Sequence, residues 1–143
     1  VKNIRLRSRL ADVESLNRLL EHKISKTEET APLIFESETK NEKLVLLSGD
    51  LYFIKAEGNY SQFYYNQNNT IKNSLLRLSL KNTETLIEKS NQFLRIHRSY
   101  IVNTEKIKRV SSENNIYKIW IDGFSEALPA SRQTISEIKN LIQ

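Results

Sequence analysis

Over the first 26 residues the apolar positions fall at Leu6, Leu10, Val13, Leu20 and Ile24, with Asn17 completing a 4-3-4-3-4 spacing. No Gly or Pro interrupts the run. The spacing predicts a helix over 1–26 with a heptad seam, Leu10, Asn17 and Ile24 at a and Leu6, Val13 and Leu20 at d. A lone Asn at an a position is how a parallel two-stranded coil fixes its register, which makes these six residues the expected dimerisation seam. Leu16 and Leu19 widen the apolar face. That leaves a second reading open, an amphipathic helix packed on its own domain. Residues 27–41 read as a linker leading into a short strand, because Pro32 cannot continue a helix and charge and Ser/Thr surround "LIFES".

From residue 42 the period changes. "KLVLLSGDLYFIKAEGNYSQFYYN" gives short β-rich runs punctuated by "SGD" and "EGN". "NQNNT" at 66–70 is the loop of a hairpin, and "SSENN" turns a later strand pair. "SLKNTETLIEKS" shifts to a helical period, with Ser79 placed to cap a short helix whose apolar side holds Leu80, Leu86 and Ile87. From Ser131, "SRQTISEIKNLIQ" predicts a closing helix with Ile135, Ile138 and Leu141/Ile142 turned to the core. The expected fold is mainly β, small antiparallel sheets with two short helices over residues 42–143, preceded by the coiled-coil helix.

The stretch "FLRIHRSYIVN", residues 93–103, breaks the strand grammar. As one continuous strand it would set Arg98 among Leu94, Ile96, Tyr100 and Val102. Burying an unpaired guanidinium costs several kcal/mol. The chain must therefore bend around 97–99, or Arg98 must find a carboxylate. A bend would present Arg98 on a short stiff loop, a form suited to a guanine edge or a phosphate. His97 and Ser99 alone do not make an enzyme. A general base needs an orienting partner, and no nucleophile elbow, metalloprotease helix, P-loop or dinucleotide fingerprint is present.

Composition narrows the classes further. The 143 residues suit one domain with an appendage. There is no Cys, and His22 and His97 are the only histidines, so no metal site, disulfide or cofactor is expected. No apolar run approaches a membrane span. The absence of Met at position 1 fits a segment trimmed from a longer protein. Net charge is +5, and residues 42–143 hold fourteen Lys/Arg against ten Asp/Glu. That surplus favours an anionic partner without naming one.

"LYFIKAEGNYSQFYY", then "SLKNTETLIEKSNQFLRIHRSYIVN", then "IKRV", then "LPASRQTISEIKNLI" resemble, in order and spacing, the LytTR DNA-binding domain over roughly residues 42–143. The resemblance implies a mostly β fold that binds double-stranded DNA through loops entering successive major grooves. It implies contacts from Asn59, Tyr60, Ser61 and Gln62 after "AEG", from Arg98 in "HRS", and from Ser131 and Arg132 at the last helix. Arginine suits guanine O6/N7 or phosphate, Asn and Gln suit adenine, and a helix N-terminus attracts phosphate. Arg95 and His97 are expected to hold the turn in shape. Where some members carry a histidine or basic residue, Ser61 stands here, which lowers the charge of that contact.

The resemblance also implies paired sites bound by a homodimer and an upstream sensor or receiver region. It makes this segment the cytoplasmic output domain of a bacterial transcription regulator, whose full-length form can be membrane-anchored upstream. The competing class is a β-rich protein-interaction module with a basic docking surface and no DNA target.

Overall fold

Asparagines and a glycine set three of the hairpins. The structure is a computed structural model that describes residues 13–21 and 31–142. In chain order the elements are α1 (residues 13–21), β1 (Pro32–Glu36), β2 (Lys43–Leu47), β3 (Leu51–Glu57), β4 (Tyr60–Gln67), β5 (Thr70–Leu76) and α2 (Leu80–Ile87). They continue with β6 (Phe93–His97), β7 (Tyr100–Asn103), β8 (Ile107–Glu113), β9 (Ile116–Ile121), β10 (Leu128–Ala130) and α3 (Arg132–Ile142). Asn68 and Asn69 join β4 to β5 with φ of 53° and 62°, and Asn114 and Asn115 join β8 to β9 with φ of 52° and 66°. Paired left-handed residues are the hairpin turn whose twist matches the strands, and Asn tolerates that region better than other side chains. Gly58, at φ 62°, opens the β3–β4 turn.

The mainly β fold class expected from the sequence is what the structure shows. All strand pairs are antiparallel, in sheets ordered β1-β2, β5-β4-β3-β7-β6 and β10-β9-β8. The chain divides into two compact units, residues 25–103 and residues 1–24 with 104–143.

In the first unit the apolar faces of the two- and five-stranded sheets and α2 share one core. Phe35 of β1 meets Phe63 of β4 with ring centroids 4.6 Å apart, joined by Leu51, Ile54, Leu76 and Ile101. The segment expected to be a linker, 27–41, therefore holds β1 over its described part, and Phe35 is fully buried. Ser79 caps α2 as expected, accepting the Asn82 N–H at 3.1 Å. The buried residues of α2 are Leu80, Thr83 and Ile87, whereas Leu86 is exposed, a correction to its expected core place. Thr83 sits one turn before Ile87 and takes the inward position.

In the second unit the core draws on Val13, Leu16 and Leu20 of α1, Val110 of β8, Tyr117, Ile119 and Ile121 of β9, and Ile135 and Ile138 of α3. The Asn17 carboxamide docks on the open edge of β8. Its Oδ1 accepts the Val110 N–H at 2.7 Å and its Nδ2 donates to the Val110 carbonyl at 3.0 Å. For Val13, Asn17 and Leu20 the contacts within the chain are those of the second reading, an amphipathic helix packed on its own domain. A stripe that fits a partner helix also fits the chain's own sheet, and here the sheet takes it. Leu6, Leu10 and Ile24 lie outside the described residues. Leu141 of α3 is largely exposed.

Candidate nucleic-acid interface

The bend required of "FLRIHRSYIVN" is a hairpin. β6 ends at His97, β7 starts at Tyr100, and the ladder slips between Arg95 and His97. Arg98 and Ser99 form the turn, and Arg98 is exposed. Its neighbours stiffen it. Arg95 donates from Nη2 to the Arg98 carbonyl at 2.8 Å, from Nε to the His97 carbonyl at 3.4 Å, and from Nη1 to Glu84 Oε1 of α2 at 3.0 Å. The Ser99 N–H donates to His97 Nδ1 at 3.1 Å, so that nitrogen keeps its lone pair. Arg95 and His97 shape the turn, and the guanidinium of Arg98 is left for something else. Lys43–Glu36, Lys55–Glu57 and Arg95–Glu84 form ion pairs, and none of them uses Arg98.

The β3–β4 turn lies beside this hairpin, because β3 pairs with both β4 and β7. The Ala56 N–H donates to the Ser99 carbonyl at 2.8 Å, tying the two turns together. Asn59, Tyr60 and Arg98 thus share one end of the five-stranded sheet. Behind them a row runs in register across all five strands: Leu75, Gln62, Lys55, Tyr100 and His97. Gln62 donates from Nε2 to Asn73 Oδ1 at 2.9 Å. Lys55 Nζ lies 3.2 Å from Glu57 Oε1. That hydrogen bond, with the Tyr100 hydroxyl adding to it, raises the Lys55 ammonium above the ordinary lysine value.

Tyr60 is 38% exposed and lies beneath the Arg77 guanidinium, whose Cζ is 5.9 Å from the ring centroid. It is a surface residue. Ser61 is not. It is fully buried, and its Oγ donates to the Leu78 carbonyl at 2.6 Å beside Thr83 Oγ1 at 3.3 Å. That corrects its expected place among the contacts: the hydroxyl fastens the sheet to the start of α2. Asn103, which ends the quoted motif, is also internal, donating from Nδ2 to the Leu51 carbonyl at 2.9 Å and the Ser48 carbonyl at 3.2 Å.

On the second unit Ser131 caps α3. Its Oγ accepts the Thr134 N–H at 3.2 Å and pairs with Thr134 Oγ1 at 2.8 Å. Arg132 follows as the first helical residue, exposed, in a first turn that holds no acidic residue. The positive end of the helix and the guanidinium thus coincide. On the outward side of the three-stranded sheet, Arg109 lies 4.4 Å over the Trp120 ring, and Trp120 Nε1 donates to Ser111 Oγ at 3.2 Å. Arg109 belongs to the quoted "IKRV" segment, whereas Arg77 and Trp120 were singled out by no motif. Register could have found Arg77, since Ser61 opposite Leu76 sets Tyr60 opposite the next residue.

Among the described residues no group of three or more His, Cys, Asp or Glu could hold a metal ion, and no helix is long and apolar enough to cross a membrane. The model of the LytTr DNA-binding domain family matches residues 41–143. An uncharacterized response regulatory protein of Vibrio cholerae serotype O1 is 36% identical over 95 residues, 66% of this chain. The chain spans only 36% of that relative's length over the match. A LytTr DNA-binding domain from a Bacillus cereus protein described as a methyl-accepting/DNA response regulator superposes with a TM-score of 0.56 at 21% identity. The superposition covers 78% of this chain and 98% of that one, and it bears on the fold alone. Over residues 41–143 the chain belongs to the LytTr DNA-binding domain family.

Proposed function

We propose that this chain binds double-stranded DNA sequence-specifically as the cytoplasmic output domain of a bacterial response-regulator-type transcription factor. One observation carries the reading: an exposed arginine, Arg98, sits on a hairpin turn braced by Arg95 and His97 and tied to the Asn59–Tyr60 turn. A guanidinium carried on a braced backbone needs only its own side chain ordered on binding, and it matches the two acceptors of a guanine edge. In this reading Arg98, Asn59 and Gln62 face bases, Tyr60 lines the contact, and Arg132 with the Ser131-capped helix end forms a separate contact to base or phosphate. An upstream receiver or sensor region supplies the signal.

Two copies occupy paired sites as a homodimer on DNA. Over residues 13–21 the helix seam is engaged within the chain, so pairing there draws on DNA spacing rather than on Val13, Asn17 and Leu20.

The test is selection from a random duplex library followed by fluorescence titration of the selected site against scrambled DNA. Arg98→Ala and Arg132→Ala should each lose about 1–3 kcal/mol on the selected site and part of the discrimination. Parental affinity and selectivity in both variants would refute the assignment. A library that yields no enriched sequence would favour a docking module for an acidic protein.

A further inference from the structure

Arg77 stands outside every motif, yet it borders the candidate interface. Ser61 pairs with Leu76, so the next residues outward, Tyr60 and Arg77, face each other past the end of the β4–β5 ladder. Arg77 is exposed, and its guanidinium lies over the Tyr60 ring. A guanidinium within about 6 Å of an aromatic face is attracted to it electrostatically, and its N–H edges remain available for hydrogen bonds. No ion pair among the described residues uses it. The nearest candidate by chain connection is Glu38, whose N–H donates to the Arg77 carbonyl at 2.8 Å. Glu38 instead directs its carboxylate to the Ser79 N–H at 3.3 Å. Arg77 is therefore an oriented cation with no carboxylate holding it.

Its distance from Arg98 decides what it meets. The order β5-β4-β3-β7 places Arg77 and Arg98 three strand spacings apart along one end of the sheet. At about 4.8 Å each, that is roughly 14 Å. A major groove is about 12 Å wide. The separation exceeds the groove's width, so when Arg98 reaches a base edge inside the groove, Arg77 falls outside it, over the flanking phosphate backbone.

We infer that Arg77 is a DNA-phosphate contact and that Tyr60 is its positioning residue, holding the guanidinium toward the backbone. The inference rests on the DNA-binding reading above and adds a division of labour: Arg98 discriminates, Arg77 anchors. A phosphate contact weakens all sequences alike and contributes about one unit to the slope of log affinity against log salt, whereas a base contact alters preference.

The experiment titrates selected and scrambled duplexes against the parent, Arg77→Ala, Arg77→Lys, Tyr60→Leu and Arg98→Ala over a series of salt concentrations. Unchanged thermal melts confirm that each variant folds. Arg77→Ala should bind both duplexes about tenfold more weakly at low salt, keep the parental selectivity, and reduce the slope by about one. Arg77→Lys should keep the slope, and Tyr60→Leu should lose affinity without losing slope. If Arg77→Ala matches the parent while Arg98→Ala loses selectivity, the Arg77 inference fails and the DNA reading stands. If Arg77→Ala changes sequence preference, the phosphate assignment is wrong. If the parent selects no sequence, both readings fall.

Discussion

The carboxamide of Asn17 hydrogen-bonds to both backbone groups of Val110, at 2.7 and 3.0 Å, so a side chain on a helix pairs with the edge strand β8. An exposed strand edge is a template for unwanted pairing, and covering it is one way proteins manage that hazard. It also sets α1 by two hydrogen bonds at one residue, with Val13, Leu16 and Leu20 buried on either side.

Asn17→Leu removes both bonds and leaves a partly buried N–H and carbonyl without partners. An unsatisfied group costs about 1–3 kcal/mol, so urea denaturation should show destabilisation in that range. A parallel coil predicts the opposite: Leu at an a position strengthens the seam while relaxing its register. A variant that grows more stable and forms larger oligomers by light scattering would restore the coiled-coil reading.

Arg95 spends its whole guanidinium on the 97–99 turn and Glu84. Arg95→Lys keeps the charge and loses the fork, so the turn should loosen while the fold survives. We expect about tenfold weaker DNA binding with a thermal midpoint within a few degrees of the parent, because only hydrogen bonds at a surface turn are lost. Equal affinity for the two proteins would mean that the turn needs no bracing.

Much of this was readable beforehand. Asn-Asn pairs marked two hairpins, Ser79 and Ser131 capped the helices they precede, and the Arg98 parity problem forced a bend where β6 and β7 meet. What escaped has physical reasons. A heptad stripe reports that a helix buries one face, not which surface it is buried on, so the stripe fitted a coil and also a helix packed on its own domain. Ser61 carried a readable signal that chemistry obscured: it shares strand parity with Phe63 and Tyr65, both buried, and belongs inside with them. Leu86 lost its expected place because Thr83, polar by type, satisfies its hydroxyl at the Ser79 carbonyl 2.9 Å away and packs inward.

Ser61→Ala should separate structure from contact. It deletes the bond to the Leu78 carbonyl in a fully buried site, so a loss of about 1 kcal/mol or more in stability is expected. DNA affinity of the folded protein should stay near the parent's. A large affinity loss with unchanged stability would put Ser61 back at the interface.

Lys55 and Glu57 neutralise each other within the row that adjoins the β3–β4 and β6–β7 turns. The pair raises the Lys55 pKa above its unfolded value. Its contribution to stability is therefore complete below the unfolded lysine pKa and is lost only as pH rises through the raised folded value. Across neutral pH it does not vary. Glu57→Gln should release the ammonium to DNA and strengthen binding about two- to fivefold at low salt, a gain that fades as salt screens it. An unchanged affinity at low salt would place Lys55 away from the backbone.

The Tyr117 hydroxyl is buried in β9 with no hydrogen-bond partner among the described residues. Tyr117 pairs in register with Ser112 on one side and Ala130 on the other, the latter next to the Ser131 cap. A buried hydroxyl without a partner costs about 1–3 kcal/mol relative to the same ring without it. Tyr117→Phe keeps the ring and deletes the penalty, so the variant should unfold at a higher urea concentration than the parent with the same slope. The cap and Arg132 are untouched, so DNA affinity should not move. A destabilised Tyr117→Phe would mean that the hydroxyl has a partner in solution, and an accompanying loss of affinity would mean that the partner belongs to the α3 contact.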